Sequence, residues 1–263
     1  MINVKKNRDG HMHSPFCPHG TKDAFELYVN KAIQLGIEEI TFTEHMPLPG
    51  IFMDKKFLDE CAMDISVTDA YLLEVKKVKE SYKNIIKINS GFEVDFVEGY
   101  EGKTRELLNR FGYGIEDGII SVHFIKIGEQ YLAIDVLEQF KEAIKKLGTI
   151  EKVYDKYYET LLLAIKADLG NFKPKRIGHP TLIRIFNNKY PCDYEPYELL
   201  DKIAKEIKNN NYEVDINTAG LRKPYCKEVY PSGAFLDLVK KYNIATVYGS
   251  DAHRSSDVGK DFI

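Results

Sequence analysis

The sequence predicts a parallel α/β fold, and two patterns lead to this prediction. Apolar strand-like runs alternate with amphipathic helical stretches along the whole chain, which is typical of parallel strands joined by helices. All seven histidines fall at the ends of predicted strands or in the loops that follow them. Because parallel barrels build their functional sites at the C-terminal ends of their strands, this placement indicates one shared site at that edge.

The first two strands and the helix between them follow from residue spacing. Side chains two residues apart in a strand point to the same face, so a first strand ends where His11 and His13 project together. An apolar stripe at helical spacing predicts a helix at about residues 22–35, which Gly36 ends. β-Branched and aromatic residues predict a second strand over residues 39–45, which two following prolines end.

The rest of the chain continues the same alternation. Residues 50–67 are predicted to be a long irregular loop, of the kind that often acts as a lid. Further strands are predicted at 85–93, 118–123, 176–180, 212–217 and 245–253. Further helices are predicted near 69–82, 103–111, 197–208 and 233–242, with two helical stretches within 136–169. Seven strands with intervening helices favour an incomplete or distorted barrel, and the same pattern also fits an open sheet.

Composition narrows the class of protein. The 263 residues contain no repeat, low-complexity tract or linker, so we expect a single catalytic domain over residues 1–263. A formal charge of −3 gives no general attraction for nucleic acid or for an anionic membrane, and we expect neither as a partner. There is no apolar run of membrane-spanning length and no signal-peptide core. Cys17, Cys61, Cys192 and Cys226 form no Cys-x-x-Cys pair, so we expect free thiols in a reducing cytoplasm.

The histidines and their acidic neighbours predict a metal centre. A single histidine at a strand end is usually an ordinary structural residue, but seven in equivalent places indicate a common role. Imidazoles combined with carboxylates suit zinc, iron or manganese without selecting among them. The candidate ligands are His11, His13, His19, His45, Glu93, His123, His179, Asp251 and His253. Nine ligands are more than two ions usually need, which indicates three divalent ions. Cys17 lies among these residues, but we expect it not to be a ligand.

These motifs resemble those of the polymerase and histidinol phosphatase (PHP) superfamily, specifically its monofunctional histidinol-phosphate phosphatase branch. The similarity runs from His11-Met-His13 to Asp251-Ala-His253, which is nearly the whole chain. It implies a distorted seven-stranded (β/α) barrel with the metal site at the C-terminal ends of the strands. It also implies three metal positions, held by His11, His13, Glu93 and Asp251, by Glu93, His123 and His179, and by His19, His45 and His253.

Two arginines are predicted to bind phosphate. Arg184 and Arg222 lie just beyond predicted strand ends, in segments that resemble the phosphatase branch, where guanidinium groups could hold phosphate oxygens bidentately. We expect Lys223 to be a surface residue. Glu44, Asp95 and the 50–67 segment are candidates for binding the imidazole and amine of the substrate.

The resulting hypothesis is a metal-dependent phosphomonoesterase that hydrolyses L-histidinol phosphate in histidine biosynthesis. A hydroxide that bridges two metals would attack phosphorus, and Asp251 or His253 would protonate the departing alkoxide. The alternatives are a phosphodiesterase or nuclease of the same superfamily, another small-molecule phosphatase, and a metal-binding regulatory module without turnover. The mild negative charge disfavours the nuclease, and the two arginines disfavour the regulatory module. The sequence does not predict the oligomeric state.

Overall fold

A parallel sheet forms the centre of the protein in the computed structural model, which describes residues 4–5 and 7–262. Its strands are β1 (Val4–Lys5), β2 (Arg8–Met12), β3 (Glu39–His45), β4 (Lys87–Asp95), β5 (Asp117–Ser121), β8 (Arg176–Ile177), β9 (Glu213–Asn217) and β10 (Thr246–Gly249). Neighbouring strands follow the order β1-β10-β9-β8-β5-β4-β3-β2, and every pair is parallel. Strands β6 (Phe124–Ile127) and β7 (Gln130–Ala133) form a separate antiparallel hairpin.

The sheet closes into a barrel where its first and last strands meet. Met12 forms an isolated parallel bridge with Ala252, and the backbone N–H of His13 donates to the Ala252 carbonyl at 3.0 Å. The Asp251 N–H donates to the His11 carbonyl at 2.8 Å. The short strands β1 and β2 follow one another along the chain and occupy one wall position. The wall therefore has seven positions, which confirms the predicted distorted (β/α) barrel.

Except for two short ones at residues 55–61 and 219–222, the helices lie close to where the sequence predicts them, between the strands. They are α1 (Phe25–Gln34), α2 (Lys55–Cys61), α3 (Thr68–Tyr82), α4 (Glu101–Phe111), α5 (Leu137–Leu147), α6 (Ile150–Lys166), α7 (Tyr197–Asn209), α8 (Ala219–Arg222) and α9 (Gly233–Lys241). Gly36 follows the end of α1 with φ +72°, a conformation that glycine adopts without strain. Within the described residues, no helix has both the length and the apolar character needed to cross a bilayer.

The prediction of an irregular loop at residues 50–67 is wrong, because this segment is largely helical. It contains α2 and a 3₁₀ helix at Ile65–Val67. The Asp54 carboxylate caps α2 by accepting the Phe57 N–H at 3.0 Å, and Asp64 caps the 3₁₀ helix by accepting the Ser66 N–H at 2.8 Å. Short helices whose first N–H groups are capped in this way give little periodic signal in the sequence. The β6–β7 hairpin was likewise not predicted.

A buried ion network closes the N-terminal end of the barrel. Arg176, which is 1% exposed, donates to the Gly10 carbonyl at 2.7 Å and to the Asp117 carboxylate at 2.8 Å. Arg8 also donates to Asp117, at 2.6 Å. A Cβ atom added to Gly10 would lie 3.1 Å from the Arg176 guanidinium carbon, so glycine leaves room for this side chain. The opposite, C-terminal end of the barrel is left for the site.

Candidate metal centre and active-site cavity

His11 and His13 at the end of β2 are fully buried and point into the barrel mouth. The carboxylate of Asp215, on β9, accepts a hydrogen bond from His11 Nδ1 at 2.7 Å. Glu44 Oε1 lies 3.2 Å from His13 Nδ1 in the same way. An acceptor at Nδ1 fixes the tautomer of an imidazole and leaves the Nε2 lone pair free to bind a cation. Both Nε2 atoms therefore face the centre of the site as potential ligands.

Three outer histidines have the same arrangement. His123 Nδ1 lies 2.6 Å from Asp95 Oδ1, and His19 Nδ1 lies 2.9 Å from the backbone carbonyl of Glu60 on α2. His253 Nδ1 lies 3.1 Å from the Asp251 carbonyl. Five of the seven imidazoles are thus held through Nδ1, which is the second-shell pattern of metal-binding histidines.

Glu93, at 1% exposure, lies where the imidazoles converge. Its two oxygens face different histidines. Oε2 lies 3.3–3.4 Å from the nearest ring nitrogens of His11, His13 and His45. Oε1 lies 3.0 Å from His179 Nε2 and 3.8 Å from His123 Nε2. Glu93 thus presents one oxygen to each of two groups of imidazoles.

Asp251 completes the inner cluster from the loop after β10. Its Oδ1 lies 3.6 Å from His11 Nε2 and 3.2 Å from His13 Nε2. Both Asp251 and His179 have positive φ angles, +52° and +22°. Such backbone conformations are uncommon for residues other than glycine and often occur at functional sites.

The electrostatics of the cluster favour cations. Burial raises the pKa of Glu93, but His11, His45 and His13 outweigh it and hold the pKa well below its usual value. Burial lowers the pKa of His11, but Asp251, Glu93 and Asp215 outweigh it and raise the pKa to about 10. The carboxylates therefore stay anionic and attract either protons or metal ions, so metal binding should release protons.

The side chains present fit divalent metal ions. The Nε2 atoms of His11, His13 and His45 are buried without a hydrogen-bond partner, a state that is costly unless an ion binds them. Four groups of side chains place their ligand atoms within 4.8 Å of one another: His11, His13 and Glu93; His11, His179 and Asp251; Glu93, His123 and His179; and His13, Cys17, His45 and His253. His19 joins the last group through its Nε2 atom, 3.0 Å from His253 Nε2. All nine predicted ligands thus meet at the barrel mouth, and the donor set indicates divalent metal binding.

A cavity of about 740 Å³ opens over this cluster. Arg222, Lys223 and Arg254 line it on the side of β9 and β10, and both arginines lie near the Asp257 carboxylate, at 4.0 and 2.8 Å. Three acids line the side of α2, β4 and the hairpin: Glu60, Asp95 and Asp135. The cavity wall is therefore positive at one end and negative at the other.

The predicted substrate-binding residues are placed unequally. Arg222 and Asp95 line the cavity, as does Lys223, which we expected only at the surface. Arg184 is not among the lining residues, because its Nε and one terminal nitrogen donate to Glu228 at 2.6 and 2.9 Å. Glu44 is fully buried behind His13, where it accepts the Ser14 N–H at 2.8 Å, so it orients a ligand and is not placed to touch a substrate.

Several functional candidates were missed by sequence reasoning. Asp215 orients His11, while Glu60, Asp135 and Arg254 line the cavity. Only Asp215 left a signal: an acid inside an apolar strand, between Val214 and Ile216, marks an inward-facing polar position. The others lie on loops or on a short helix whose position the sequence does not reveal.

Comparison with known proteins agrees with this geometry. Residues 9–219 match the family model described as the PHP domain. The chain is 40% identical over 257 residues to the histidinol-phosphatase of Bacillus subtilis, covering 97% of this chain and 96% of that protein. A crystal structure of a candidate histidinol phosphatase from Listeria monocytogenes has a TM-score of 0.92 and 37% identity, covering 97% of this chain and 98% of that one.

A more distant structure shares the fold. The histidinol phosphate phosphatase of Lactococcus lactis, solved with zinc, L-histidinol and phosphate, has a TM-score of 0.68 and 20% identity. It covers 98% of this chain and 91% of its own. The family match and the near full-length identity lead to one conclusion: this chain belongs to the PHP domain family, as a relative of the histidinol-phosphatase of Bacillus subtilis.

Proposed function

We propose that this protein is a divalent-metal-dependent histidinol-phosphatase, which hydrolyses L-histidinol phosphate to L-histidinol and phosphate in histidine biosynthesis. The observation that carries the proposal is the cluster around Glu93, with Arg222 lining the same cavity. A phosphate monoester needs cations around its oxygens and an activated water, and this cavity is built to collect cations. The chain is 40% identical to a histidinol-phosphatase, and this similarity covers 97% of the chain. It supports this substrate over other phosphate esters.

The metal centre that we propose contains three divalent ions, of zinc, iron or manganese. The residues that would hold them are His11, His13, Glu93 and Asp251 for the first, Glu93, His123 and His179 for the second, and His19, His45 and His253 for the third. The two Glu93 oxygens face different histidines, which supports the first two metal positions. The 3.0 Å separation of His19 Nε2 and His253 Nε2 supports the third.

The chain's own residues orient the reaction. Bound divalent ions supply activation of water near neutral pH and stabilisation of charge on the phosphoryl oxygens. Arg222, at 18% side-chain exposure, offers its guanidinium to the phosphate from one wall of the cavity. Its other contacts, to the Ser250 and Thr218 carbonyls and to the Asp261 carboxylate at 3.3 Å, hold it in place. Arg184, held by Glu228, supports that wall from behind in our proposal.

The two candidate general acids differ in suitability. Burial raises the pKa of Asp251, but His11, His13 and His253 outweigh it and hold the pKa well below its usual value. Asp251 therefore stays ionised and acts as a ligand. His253 lines the open cavity with 29% side-chain exposure, so it could deliver a proton to the leaving alkoxide only in a state in which its Nε2 has left the third ion. While both residues hold metal, a water takes this role.

The charge difference across the cavity suggests how the substrate is oriented. L-Histidinol phosphate carries its phosphate at one end, an imidazole at the other and an ammonium on the carbon between them. We place the phosphate toward Arg222 and the ammonium toward Glu60, Asp95 and Asp135. Phe57 and Phe124 line that acidic end and offer ring surface to the imidazole. The four free cysteines fit a reducing compartment, so we propose that the enzyme acts in the cytoplasm as one catalytic domain.

The decisive experiment is phosphate release by purified protein from L-histidinol phosphate, measured beside a panel of nucleotides, sugar phosphates and single-stranded DNA. We expect turnover of L-histidinol phosphate, loss of activity on chelation, and recovery when zinc, iron or manganese is returned. Preferred cleavage of a phosphodiester, or no hydrolysis by fully metallated protein, would overturn the proposal.

A further inference from the structure

Cys17 lies inside the ligand cluster and not merely near it. Its side chain is fully buried, and its N–H donates to the Ser14 carbonyl at 3.0 Å, which turns the loop after β2 back over the site. The sulfur belongs to one group with ligand nitrogens of His13, His45 and His253, all within 4.8 Å of one another. A Cβ atom added to Gly20 would lie 3.4 Å from this sulfur and 3.0 Å from the His253 carbonyl, so the chain packs closely around it.

A second, independent observation concerns the imidazoles that face the sulfur. His45 is 6% exposed, and neither of its ring nitrogens has a hydrogen-bond partner among the described residues. The Nε2 atom of His13 is buried too, and it lies 3.2 Å from Asp251 Oδ1 without hydrogen-bond geometry. Buried polar atoms are nearly always hydrogen-bonded, so these nitrogens indicate that a cation completes them. The sulfur lies within 4.8 Å of a ring nitrogen of each of these two histidines.

The spacing of this group suits one metal ion. Zinc binds sulfur at about 2.3 Å and imidazole nitrogen at about 2.0–2.1 Å in a tetrahedron. Donors in such a tetrahedron are roughly 3.5 Å apart, so atoms already within 4.8 Å of one another need only small side-chain rotations. Cys61 makes a useful contrast: it lines the cavity but belongs to none of the ligand groups, and its neighbours are the carboxylates of Asp95, Asp135 and Glu60. An acidic surrounding disfavours a thiolate.

We propose that Cys17 is a sulfur ligand of one of the bound ions, beside His45 and His253, and that it makes this position selective for a thiophilic ion. Binding forms a sulfur–metal bond and breaks the S–H bond, and the proton leaves to solvent. Thiolate ligands favour zinc or iron over manganese, so the position would take zinc when both zinc and manganese are present. This inference rests on the proposed metal centre, and it changes our expectation that Cys17 is not a ligand.

X-ray absorption at the zinc edge of fully zinc-loaded protein tests the inference directly. We expect a sulfur scatterer at about 2.3 Å, in addition to nitrogen and oxygen. Cobalt-substituted protein should show thiolate-to-cobalt charge-transfer absorption in the near ultraviolet. A shell of nitrogen and oxygen alone, with no charge-transfer band, would overturn the inference without depending on any variant.

The Cys17→Ser variant and a Cys192→Ser control separate a ligand from a packing residue. Cys192 is also buried but belongs to none of the ligand groups. We expect Cys17→Ser to lose the sulfur signal and to weaken zinc binding at one position by at least about 10–100-fold, the loss seen even for residues that only support a ligand. The control should keep both. Phosphate release measured on the same wild-type samples distinguishes the two proposals: hydrolysis without a sulfur signal contradicts only this inference, whereas a sulfur signal without hydrolysis contradicts only the proposed function.

Discussion

At the scale of single residues, the site depends on which nitrogen of each imidazole is left free. The Nδ1 atom of His11 lies 2.7 Å from the buried carboxylate of Asp215, and that of His123 lies 2.6 Å from the buried carboxylate of Asp95. The ring then cannot rotate without breaking a charge-assisted hydrogen bond. The second ring nitrogen is therefore held toward the centre before any ion arrives. This preorganisation lowers the entropic cost of assembling a site from residues that are far apart in the sequence.

Arg222 gives the sharpest residue-level prediction. Arg222→Ala removes a guanidinium from the cavity wall, and we expect kcat/KM for L-histidinol phosphate to fall by on the order of 10²-fold. Steady-state phosphate release measures the effect. Arg222→Lys should recover part of the rate, because it restores the charge but not the planar fork. Arg110→Ala, which alters an arginine stacked on Phe111 outside the cavity lining, should behave as wild type. Equal activity of Arg222→Ala and wild type would remove Arg222 from the mechanism.

The residue scale also shows what the sequence could predict. The histidines were recognisable because each follows a strand, and the metal-binding character of the site followed from their chemistry. The residues that orient these histidines could not be recognised, since Asp215 lies 204 positions from His11 and Glu60 lies 41 from His19. Nor could the sequence show that Glu228 engages Arg184, because a guanidinium near a strand end fits an ion pair as well as a phosphate.

At the scale of elements, α2 and the β6–β7 hairpin build the acidic end of the cavity. Leu58 of α2 packs with Phe124 and Tyr131 of the hairpin in a hydrophobic cluster separate from the main core. Glu60, on α2, and Asp135, just after β7, both line the cavity beside this cluster. Neither element was predicted, since both are short and neither shows a full period of hydrophobic residues. The specificity of the site therefore depends on the parts of the fold that the sequence describes least well.

Asp135→Asn tests that assignment. We expect KM for L-histidinol phosphate to rise about 5–10-fold, since an exposed ion pair contributes about 1 kcal/mol. Hydrolysis of an aryl phosphate that lacks an ammonium group should be unchanged. The control is Asp59→Asn, on the face of α2 that pairs with Lys55 and does not line this cavity. If the variant loses activity equally toward both substrates, Asp135 does not recognise the ammonium group.

At the scale of the whole molecule, the two ends of the barrel differ in whether their charged groups are paired within the protein. The N-terminal end neutralises its charges internally, through Arg176, Arg8 and Asp117. The C-terminal end gathers anionic carboxylates and unpartnered imidazoles and leaves them for cations. The N-terminal end should therefore respond to acid pH, whereas the C-terminal end should respond to chelation.

Removing the metals should affect both activity and stability. A ligand present at 1,000 times its dissociation constant stabilises the native state by about 4 kcal/mol. For a protein of this size, chelation of even one such ion should lower Tm by on the order of 10 °C. Calorimetry before and after chelation measures the shift, and adding metal back should reverse it together with activity. An unchanged Tm and full activity after chelation would contradict the metal centre.

The Asp117 network should show itself at acid pH. Burial raises the pKa of Asp117, but Arg176 and Arg8 outweigh it and lower the pKa to about 2. Its stabilising contribution is therefore complete above an unfolded-state pKa of about 3.9 and is lost as the pH falls toward 2. We expect metal-free wild type to lose on the order of 2 kcal/mol of unfolding free energy through this group.

Asp117→Asn should already be destabilised at pH 7, by about 3–5 kcal/mol, because two arginines lose a buried partner. Urea unfolding between pH 2 and 7 measures both effects. Asp168→Asn, in an exposed pair with Arg105, should follow the wild-type pH dependence. An Asp117→Asn variant as stable as wild type at neutral pH would show that the pair contributes nothing.

The closure of the barrel at Met12 and Ala252 also constrains the order of events during synthesis in the cell. His11 and His13 leave the ribosome about 240 residues before Asp251 and His253. A nascent chain that has not yet reached residue 253 cannot present all nine candidate ligands, however much of the barrel has already formed. Assembly of a complete metal centre therefore waits for that residue, and it draws on whichever ions the cell makes available at that moment.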